Sequence, residues 1–509
     1  LMQKILSSTQ TNLLDQYTID KEPIAPVDLM ERACRAFAEW FMNKFIATQK
    51  ISVVCGTGNN GGDGLGIARI LCESSYPVEV FIVRGSSAET HDFKINLGRL
   101  PKKVKSINVI EGTQLEFTKT DVIVDAIFGS GLSRPVEGIY ATAIESINQA
   151  KAIKVAVDIP SGLFADSDSM GAIVQAQFTV SFQLPKLVFF FPRYASNVGD
   201  WVVVDIGLNQ TFLKEVEAHH FYVTEKSVKK LVRSRKRFSH KGNFGHGLLI
   251  GGSKGKMGAA VLSARAAMRS GLGLLTIHAA ACGVDVLQIS VPEAMVEVDS
   301  NENHFSKLPD SFDYEAIGVG PGLGKHPDTV KAFSNLLKEY QHRMVIDADA
   351  LNILSENREL LQLVPEGSIL TPHPKEFERL VGAWSNDFHR LEKQRELAAQ
   401  LKAIIVLKGA FTSVVDEKGN AYFNCTGNPG MATGGSGDVL TGVLTGLSAQ
   451  GYSSLDAAIL GVYLHGLAGD LAGYELGLDS LTATDIIQRL PQAFKRLKNQ
   501  TESNFYTVF

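Results

Sequence analysis

Cysteine is scarce in this sequence and nowhere set at metal-ligand spacing: Cys34, Cys55, Cys72, Cys282 and Cys425 form no C-x-x-C pair. An odd count without such a framework argues against a disulfide scaffold and a structural zinc site, and suits a reducing cytosol. The first 30 residues contain no apolar h-region, and no unbroken apolar run reaches membrane-spanning length. Neither secretion nor a membrane partner is therefore expected, and a cytoplasmic location is. Excess positive charge is also missing, since 50 Lys and Arg stand against 54 Asp and Glu for a net charge of -4, so no nucleic-acid partner is expected. No G-x-x-x-x-G-K-[ST] loop occurs, so any ATP site is of another class. A fixed-period repeat is absent too.

What remains is an α/β pattern. At 509 residues the chain exceeds what one core usually supports, and two domains are the natural expectation. Short apolar runs alternate with helical periodicity, as parallel sheets require. "ISVVC", "VEVFIV", "DVIVDAIF", "IKVAVDIP", "FTVSF" and "WVVVDIG" form one series. "HGLLIGGS", "LGLLTIHA", "YEAIGVGPG", "RMVIDADA", "GSILTPHP" and "AIIVLKG" form a second. Ahead of the first, Leu29, Ala33, Phe37, Trp40 and Phe41 share one face of an amphipathic helix. The seam between the series, Leu208 to Lys241, holds Lys226, Lys229, Lys230, Arg233, Arg235, Lys236 and Arg237, a run that reads as a solvated linker or exposed helix face, with polyphosphate or nucleic-acid contact as the minor alternative.

Two glycine-rich stretches carry the chemistry. In "CGTGNNGGDGLGIARIL", Gly56, Gly58 and Gly61 follow a strand and open a helix, where backbone N–H groups can approach an anion. A dehydrogenase is disfavoured because the next strand ends in Arg84 rather than an acid. The amides and carboxylate of "NNGGDG" exceed what a turn needs and offer oxygen ligands to a polar substrate. Two further strands end in Asp125 and Asp158, at the sheet edge where such folds bind ligands. In "CTGNPGMATGGSGDVLTG", Gly434, Gly435, Ser436 and Gly437 direct free N–H groups and a helix dipole at one point. Asp438 stands just inside, where a carboxylate can take a proton from a hydroxyl attacking a phosphoryl group.

"LMERAC", "GNNGGDG", "DAIFGSG" and "VDIPSG", in that order, resemble the epimerase domain of the NAD(P)H-hydrate repair enzymes over residues 1–215. "GPGLG", "DADALN", "LTPHPKEFERL", "VLKGAFT" and the second glycine stretch resemble the ribokinase-like dehydratase domain of the same family over residues 225–500. The resemblance implies a Rossmann-like three-layer domain followed by a ribokinase-like α/β domain. It implies substrate contact by Asn59, Asn60, Gly61, Gly62 and Asp63, by Gly129, Ser130, Gly131, Leu132, Ser133, Arg134 and Pro135, and by Asp158. Asn60, Asp125 and Ser161 would hold a potassium ion (K+), and Asp158, with Lys186 as a second group, would move protons during epimerisation.

In the second domain the resemblance implies hydrate contact by Ala260, Gly322, His373 and Asp438, the last also catalytic. Adenine nucleotide, ADP or ATP with Mg2+, would meet Lys408, Gly409, Ala410, Phe411, Thr412 and Gly437. ADP is the donor expected of a fused chain. The partners are then hydrated NADH or NADPH and the nucleotide, and a homo-oligomer is expected. Two rivals stay open from residues alone: a ribokinase-like small-molecule kinase, and a nucleotide-binding sensor without catalysis.

Overall fold

The computed structural model describes residues 2–85, 88–113 and 115–498. Its contacts divide the chain into two compact units, with the change between Ala218 and His219. The expected domain end at 500 lies outside the described residues.

The first unit opens with two helices, α1 (Ser8–Lys21) and α2 (Pro26–Lys44). Its sheet contains β1 (Ile51–Cys55), β2 (Val78–Val83), β3 (Lys105–Val109), β4 (Val122–Ala126), β5 (Ile153–Val157), β6 (Phe178–Phe182) and β7 (Asp200–Val204). The strands run parallel in the order β3-β2-β1-β4-β5-β6-β7. β1 and β4 are buried along their whole length, which is why both read as unbroken apolar runs rather than alternating ones. Phe37 and Phe41 of α2 and Leu65 and Leu71 of α3 (Asn59–Glu73) pack with Val53 and Val124. On the other face Ile144 and Ile147 of α5 pack with Val54 and Ile123; α4 (His91–Arg99) and α5 (Gly138–Gln149) supply the remaining long helices. Helix, sheet and helix make three layers. The strand order reverses between β1 and β4, so the loops after these two strands diverge and leave a crevice at the sheet's C-terminal edge.

The second unit has one mixed sheet: β8 (His220–Val223), β9 (His246–Ile250), β10 (Leu274–Ala279), β11 (Met295–Val298), β12 (Ala316–Val319), β13 (Met344–Ile346), β14 (Ile369–Leu370), β15 (Ile404–Leu407), β16 (Ser413–Val415) and β17 (Ala421–Asn424). Their order is β8-β17-β16-β15-β14-β13-β12-β9-β10-β11. Pairing is parallel from β11 to β15 and turns antiparallel at the hairpins joining β15, β16 and β17. The helices that build the site are α6 (Met257–Arg269), α7 (Ala348–Glu356), α8 (Pro374–Val381) and α9 (Ser436–Ala449). Behind α9 lie α10 (Ser454–Leu476) and α11 (Ala483–Leu497). By length and composition α10 could cross a membrane, yet 72% of its apolar window is buried inside the protein, where Leu460, Leu464 and Leu467 meet Val443 and Leu447 of α9. It is a core helix.

The basic run is not a free linker. The Arg233 guanidinium lies 4.2 Å from the Tyr452 ring centroid and donates to the carbonyls of Gln450 at 3.0 Å and Gly451 at 3.1 Å. Arg235 sits 3.8 Å from the Phe244 ring centroid and donates to Gly271. Those carbonyls follow the ends of α9 and α6, where unpaired C=O groups and the negative pole of the helix attract cations. Lys226 and Lys229 lie on a short helix, Glu225–Lys229, as the helix-face reading has it, whereas Arg233 and Arg235 are held by carbonyls from distant segments that no local pattern records. Arg233→Ala should lower the unfolding free energy of this unit by about 1 kcal/mol. Lys236→Ala, which loses no such contact, should stay within about 0.5 kcal/mol of wild type in the same urea titration.

Candidate functional site

In the first unit the crevice after β1 and β4 is a cavity of about 760 Å3. Its wall is close-packed backbone. A Cβ added at Gly61 would stand 1.9 Å from the Gly56 carbonyl oxygen, so only glycine lets α3 begin directly against the end of β1. Asn59, Asn60, Asp63, Gly129, Ser130, Gly131, Leu132, Asp158 and Lys186 all line this cavity. Gly61 and Gly62 form its buried backing, while Ser133, Arg134 and Pro135 continue beyond it as exposed residues.

Asp125 is fully buried at the end of β4 and accepts from the Ser161 hydroxyl at 2.5 Å and the Ser161 N–H at 2.8 Å. Burial pushes its carboxyl up to about 6 against the lowering effect of those bonds. Ser161 Oγ in turn accepts from the Phe128 N–H at 2.9 Å, and the next residue, Gly129, faces Asn60: a Cβ there would be 3.5 Å from Asn60 Oδ1. Asn60 Nδ2 is buried without a hydrogen-bond partner. Thus the three expected ion ligands gather around one loop.

Asp158 has φ +64°, a left-handed conformation that aspartate adopts only where its surroundings enforce it. Its Oδ1 accepts from Lys186 Nζ at 2.6 Å and from the Phe182 N–H at 3.0 Å. Among the described residues every hydrogen bond to this carboxylate goes to Oδ1, which leaves Oδ2 for the cavity. Lys186 also donates to Ser181 Oγ at 2.9 Å and Leu184 O at 3.3 Å, so its ammonium protons are all engaged. Three further acids, Asp15, Asp63 and Asp92, face the same space. Burial raises Asp63 well above the carboxylate range, with Asp158 and Asp15 adding to it. Burial and then Asp158 push Asp15 up to about 6, with Lys186 opposing. Asp15 belongs to α1, whose Thr11, Asp15 and Ile19 line the cavity at four-residue spacing. Sequence reasoning missed that wall, although the polar spacing beside buried Leu14 and Thr18 was its signal.

The second cavity, about 470 Å3, opens at the N-terminus of α9 and is lined by Lys256, Gly322, Asp349, Glu376, Gly434, Gly435 and Asp438, among others. Gly435 caps the helix with φ +88°, and a Cβ there would lie 2.4 Å from Leu262. Beneath the loop Asp347 is buried, bound by Lys408 Nζ at 2.9 Å and by the Thr441 hydroxyl at 2.6 Å. Burial works to raise its carboxyl, but Lys408 and the Thr441 bond prevail and hold it below the usual range. Asp438 meets the opposite balance: burial and the Asp347 charge lift it to about 6 against Lys408. Gly437 packs over this group, since a Cβ there would be 3.4 Å from Lys408 Nζ.

The other expected residues separate. Gly409, Ala410, Phe411 and Thr412 form the turn after Lys408, closed by the Gly409 N–H donating to Thr412 Oγ1 at 3.2 Å; Gly409 and Ala410 are exposed. Ala260 is buried in α6, and its neighbour Ala259 lines the cavity instead. His373 caps α8: its Nδ1 accepts from the Lys375 and Glu376 N–H groups at 3.1 and 3.3 Å. Burial, then Lys408, lowers its pKa, so it is a neutral acceptor there. Asp347, Thr441, Asp349 and Glu376 were not singled out from sequence; Asp347 and Thr441 lie 94 residues apart, a pairing no local pattern records. Ala348, between the two aspartates, has φ +49°, a second enforced left-handed residue at a site.

Residues 247–492 match the family model described as NAD(P)H-hydrate dehydratase, and residues 27–188 match that of the YjeF-related protein N-terminus. A solved structure of the ADP/ATP-dependent NAD(P)H-hydrate dehydratase from Bacillus subtilis, co-crystallised with ATP and Mg2+, is similar over 54% of this chain and 97% of its own, with 33% identity and a TM-score of 0.47. The bifunctional NAD(P)H-hydrate repair enzyme Nnr of Moorella thermoacetica is 35% identical over 98% of both chains, and that of Thermofilum pendens 34% identical over 98% of both. The Coxiella burnetii enzyme of the same name is 36% identical over 92% of this chain and 94% of its own. Matched from end to end at this identity, with both cavities inside the matched span, the chain belongs to the bifunctional NAD(P)H-hydrate repair enzymes.

Proposed function

We propose that residues 1–215 interconvert the R and S hydrates of NADH and NADPH, and that residues 225–500 dehydrate the S form to reduced cofactor with ADP as phosphoryl donor. The observation that carries this reading is the pairing of two cavities, each opened by a glycine-cleared helix start and each holding acids pushed up to about 6. A carboxyl poised there exchanges protons readily near neutral pH. A small-molecule kinase alone would leave the first cavity without a role.

In the dehydratase, Asp438 removes the proton of the ring hydroxyl as its oxygen attacks the terminal phosphoryl group. Phosphate then leaves with the C–O bond, and loss of a ring proton restores the double bond. The N–H groups at Gly434 to Gly437 face the phosphoryl oxygens. Gly322 and the Ala260 segment permit close approach of the hydrate, and His373 hydrogen-bonds it through the Nε2 proton. Lys408 through Thr412 hold the nucleotide, whose phosphates would keep Mg2+ near Asp349 and Glu376. Five free cysteines are consistent with a cytoplasmic chain. Self-association is part of the same reading.

In the epimerase, the substrate ring lies between Asn59–Asp63, Gly129–Pro135 and Asp158. Asp158 moves protons through Oδ2, and Lys186 holds its other oxygen in place. A potassium ion fits the Asp125 group: a carboxylate buried without a cation, a hydroxyl, and an Asn60 amide whose oxygen and nitrogen are interchangeable by rotation. Its chemistry would be to neutralise Asp125 and fix the adjoining loop.

Incubating the protein with hydrated NADH and ADP or ATP should restore reduced-nicotinamide absorbance; no recovery with either nucleotide would overturn the dehydratase reading. Asp438→Asn should slow dehydration by about 10²- to 10⁴-fold while nucleotide binding persists. Because Asp438 acts ionised and its pKa is raised to about 6, the wild-type rate should hold above that pH and fall about tenfold per unit below it. The variant should lack this limb. Asp125→Ala should impair conversion of the R hydrate and spare dehydration of the S hydrate. Replacing potassium by tetramethylammonium should lower the wild-type melting temperature and leave that of the variant unchanged. Equal loss on both epimers would count against an ion-dependent epimerase site.

A further inference from the structure

Resting on the epimerase reading above, we infer that Asp15 on α1 is the second acid-base group of the first cavity. It works opposite Asp158 by breaking and re-forming the hydroxyl C–O bond of the hydrate. Asp15, Asp63, Asp92, Asp158 and Lys186 are the aspartates and the lysine on its wall, four carboxyls against one ammonium. Lys186 is engaged by Asp158, Ser181 and Leu184. Asp63 lies beside Cys34, whose thiol donates to the Asp63 carbonyl at 3.3 Å. Asp15 makes no hydrogen bond or ion pair among the described residues, though it lines the cavity from a helix whose Leu14 and Thr18 are fully buried. A fixed helix thus carries an unpartnered carboxyl into the substrate space.

The environments of Asp15 and Asp158 divide the labour. Asp158 is ion-paired to Lys186 at 2.6 Å through Oδ1, whereas Asp15 has no such partner and burial, then the Asp158 charge, push it up to about 6. One group is suited to accept a proton and the other to give one, the arrangement by which paired carboxyls act on two faces of a ring. The Asp15 carboxyl passes its proton to the ring hydroxyl, and the C–O bond breaks with its electron pair leaving on water. The ring nitrogen lone pair forms a carbon–nitrogen double bond, so the ring is briefly a cation. A water adds to the other face, and its proton goes to Asp158 Oδ2. One water has left and one has entered, Asp15 has lost a proton and Asp158 gained one, and the carbon is inverted. Proton exchange with water resets both groups before the next turnover, and the reverse conversion returns both protons directly. A wall of carboxyls with one neutralised lysine suits a cationic transition state.

Epimerisation of R hydrate by the full chain is followed by chromatography in water enriched in oxygen-18, for wild type, Asp15→Asn and Asp15→Glu. Dehydration of S hydrate in the same samples reports folding and the second site. Wild type should place one solvent oxygen in each inverted molecule. Asp15→Asn should lose about 10²-fold or more in kcat with KM little changed, and Asp15→Glu should recover part of it. In wild type the rate of R conversion should decline as pH rises through about 6, because Asp15 must be protonated, and Asp15→Asn should lack that decline. Inverted product that keeps its original oxygen, or Asp15→Asn with wild-type kcat, overturns the inference while leaving the epimerase reading intact. No epimerisation by wild type overturns the epimerase reading itself.

Discussion

A helix can bring its free N–H groups to the C-terminal edge of a parallel sheet only where no side chain stands between the two backbones. Both cavities depend on that clearance. At Gly61 the margin to the Gly56 carbonyl is negative for any other residue, with a Cβ 1.9 Å from oxygen. At Gly442 a Cβ would be 2.0 Å from the Ser263 carbonyl, so α9 lies on α6 at a distance only glycine permits. These approaches fix where the anion-facing turns sit, and the acids take their positions from the same turns. The glycines are therefore packing residues first, and the binding geometry follows from the packing.

Charge is arranged differently around the two acids. At the second cavity burial does most to raise Asp438 and a buried ion pair adds to it: Lys408 and Thr441 hold Asp347 below the usual carboxylate range, and the Asp347 charge lifts Asp438 further. Removing Lys408 would leave a buried carboxylate unpaired, a change that typically costs about 3–5 kcal/mol, so stability and proton affinity are tied together there. In the first cavity acids outnumber the lysine, and burial supplies most of the shift. Exclusion from water raises the acids of both sites; in the second a buried ion pair adds to it, and in the first the neighbouring carboxyls do.

The sheet strands and both glycine turns were readable because buried parallel strands are continuous apolar runs and glycine clusters interrupt them sharply. Edge strands were not. Lys105, Ser106 and Asn108 in β3 carry the polarity that keeps an edge from pairing, and polarity hides a strand from hydrophobic patterning. Asp125, Asp158 and Asp438 were legible because strand ends and helix starts are local features. Asp347, paired with residues 61 and 94 positions away, and Asp15, on a helix far upstream of the glycine turn, become site residues only through the fold. Ala260 and Ala259 show the same limit at finer grain, since a single helical step decides which of them faces the cavity.

The cysteines noted for their scarcity acquire a use from their burial. Cys34, Cys55 and Cys72 are at 0%, 0% and 5% exposure in the first unit, and burial pushes the thiols of Cys34 and Cys55 up, so the nucleophilic thiolate is suppressed. An alkylating reagent reaches them only when this unit opens. Half-buried Cys282 and Cys425 belong to the other unit. Labelling rates followed by mass at Cys34, Cys55 and Cys72 would therefore read the opening free energy of the first unit within one intact chain and without a foreign probe, while the half-buried pair report local access in the other.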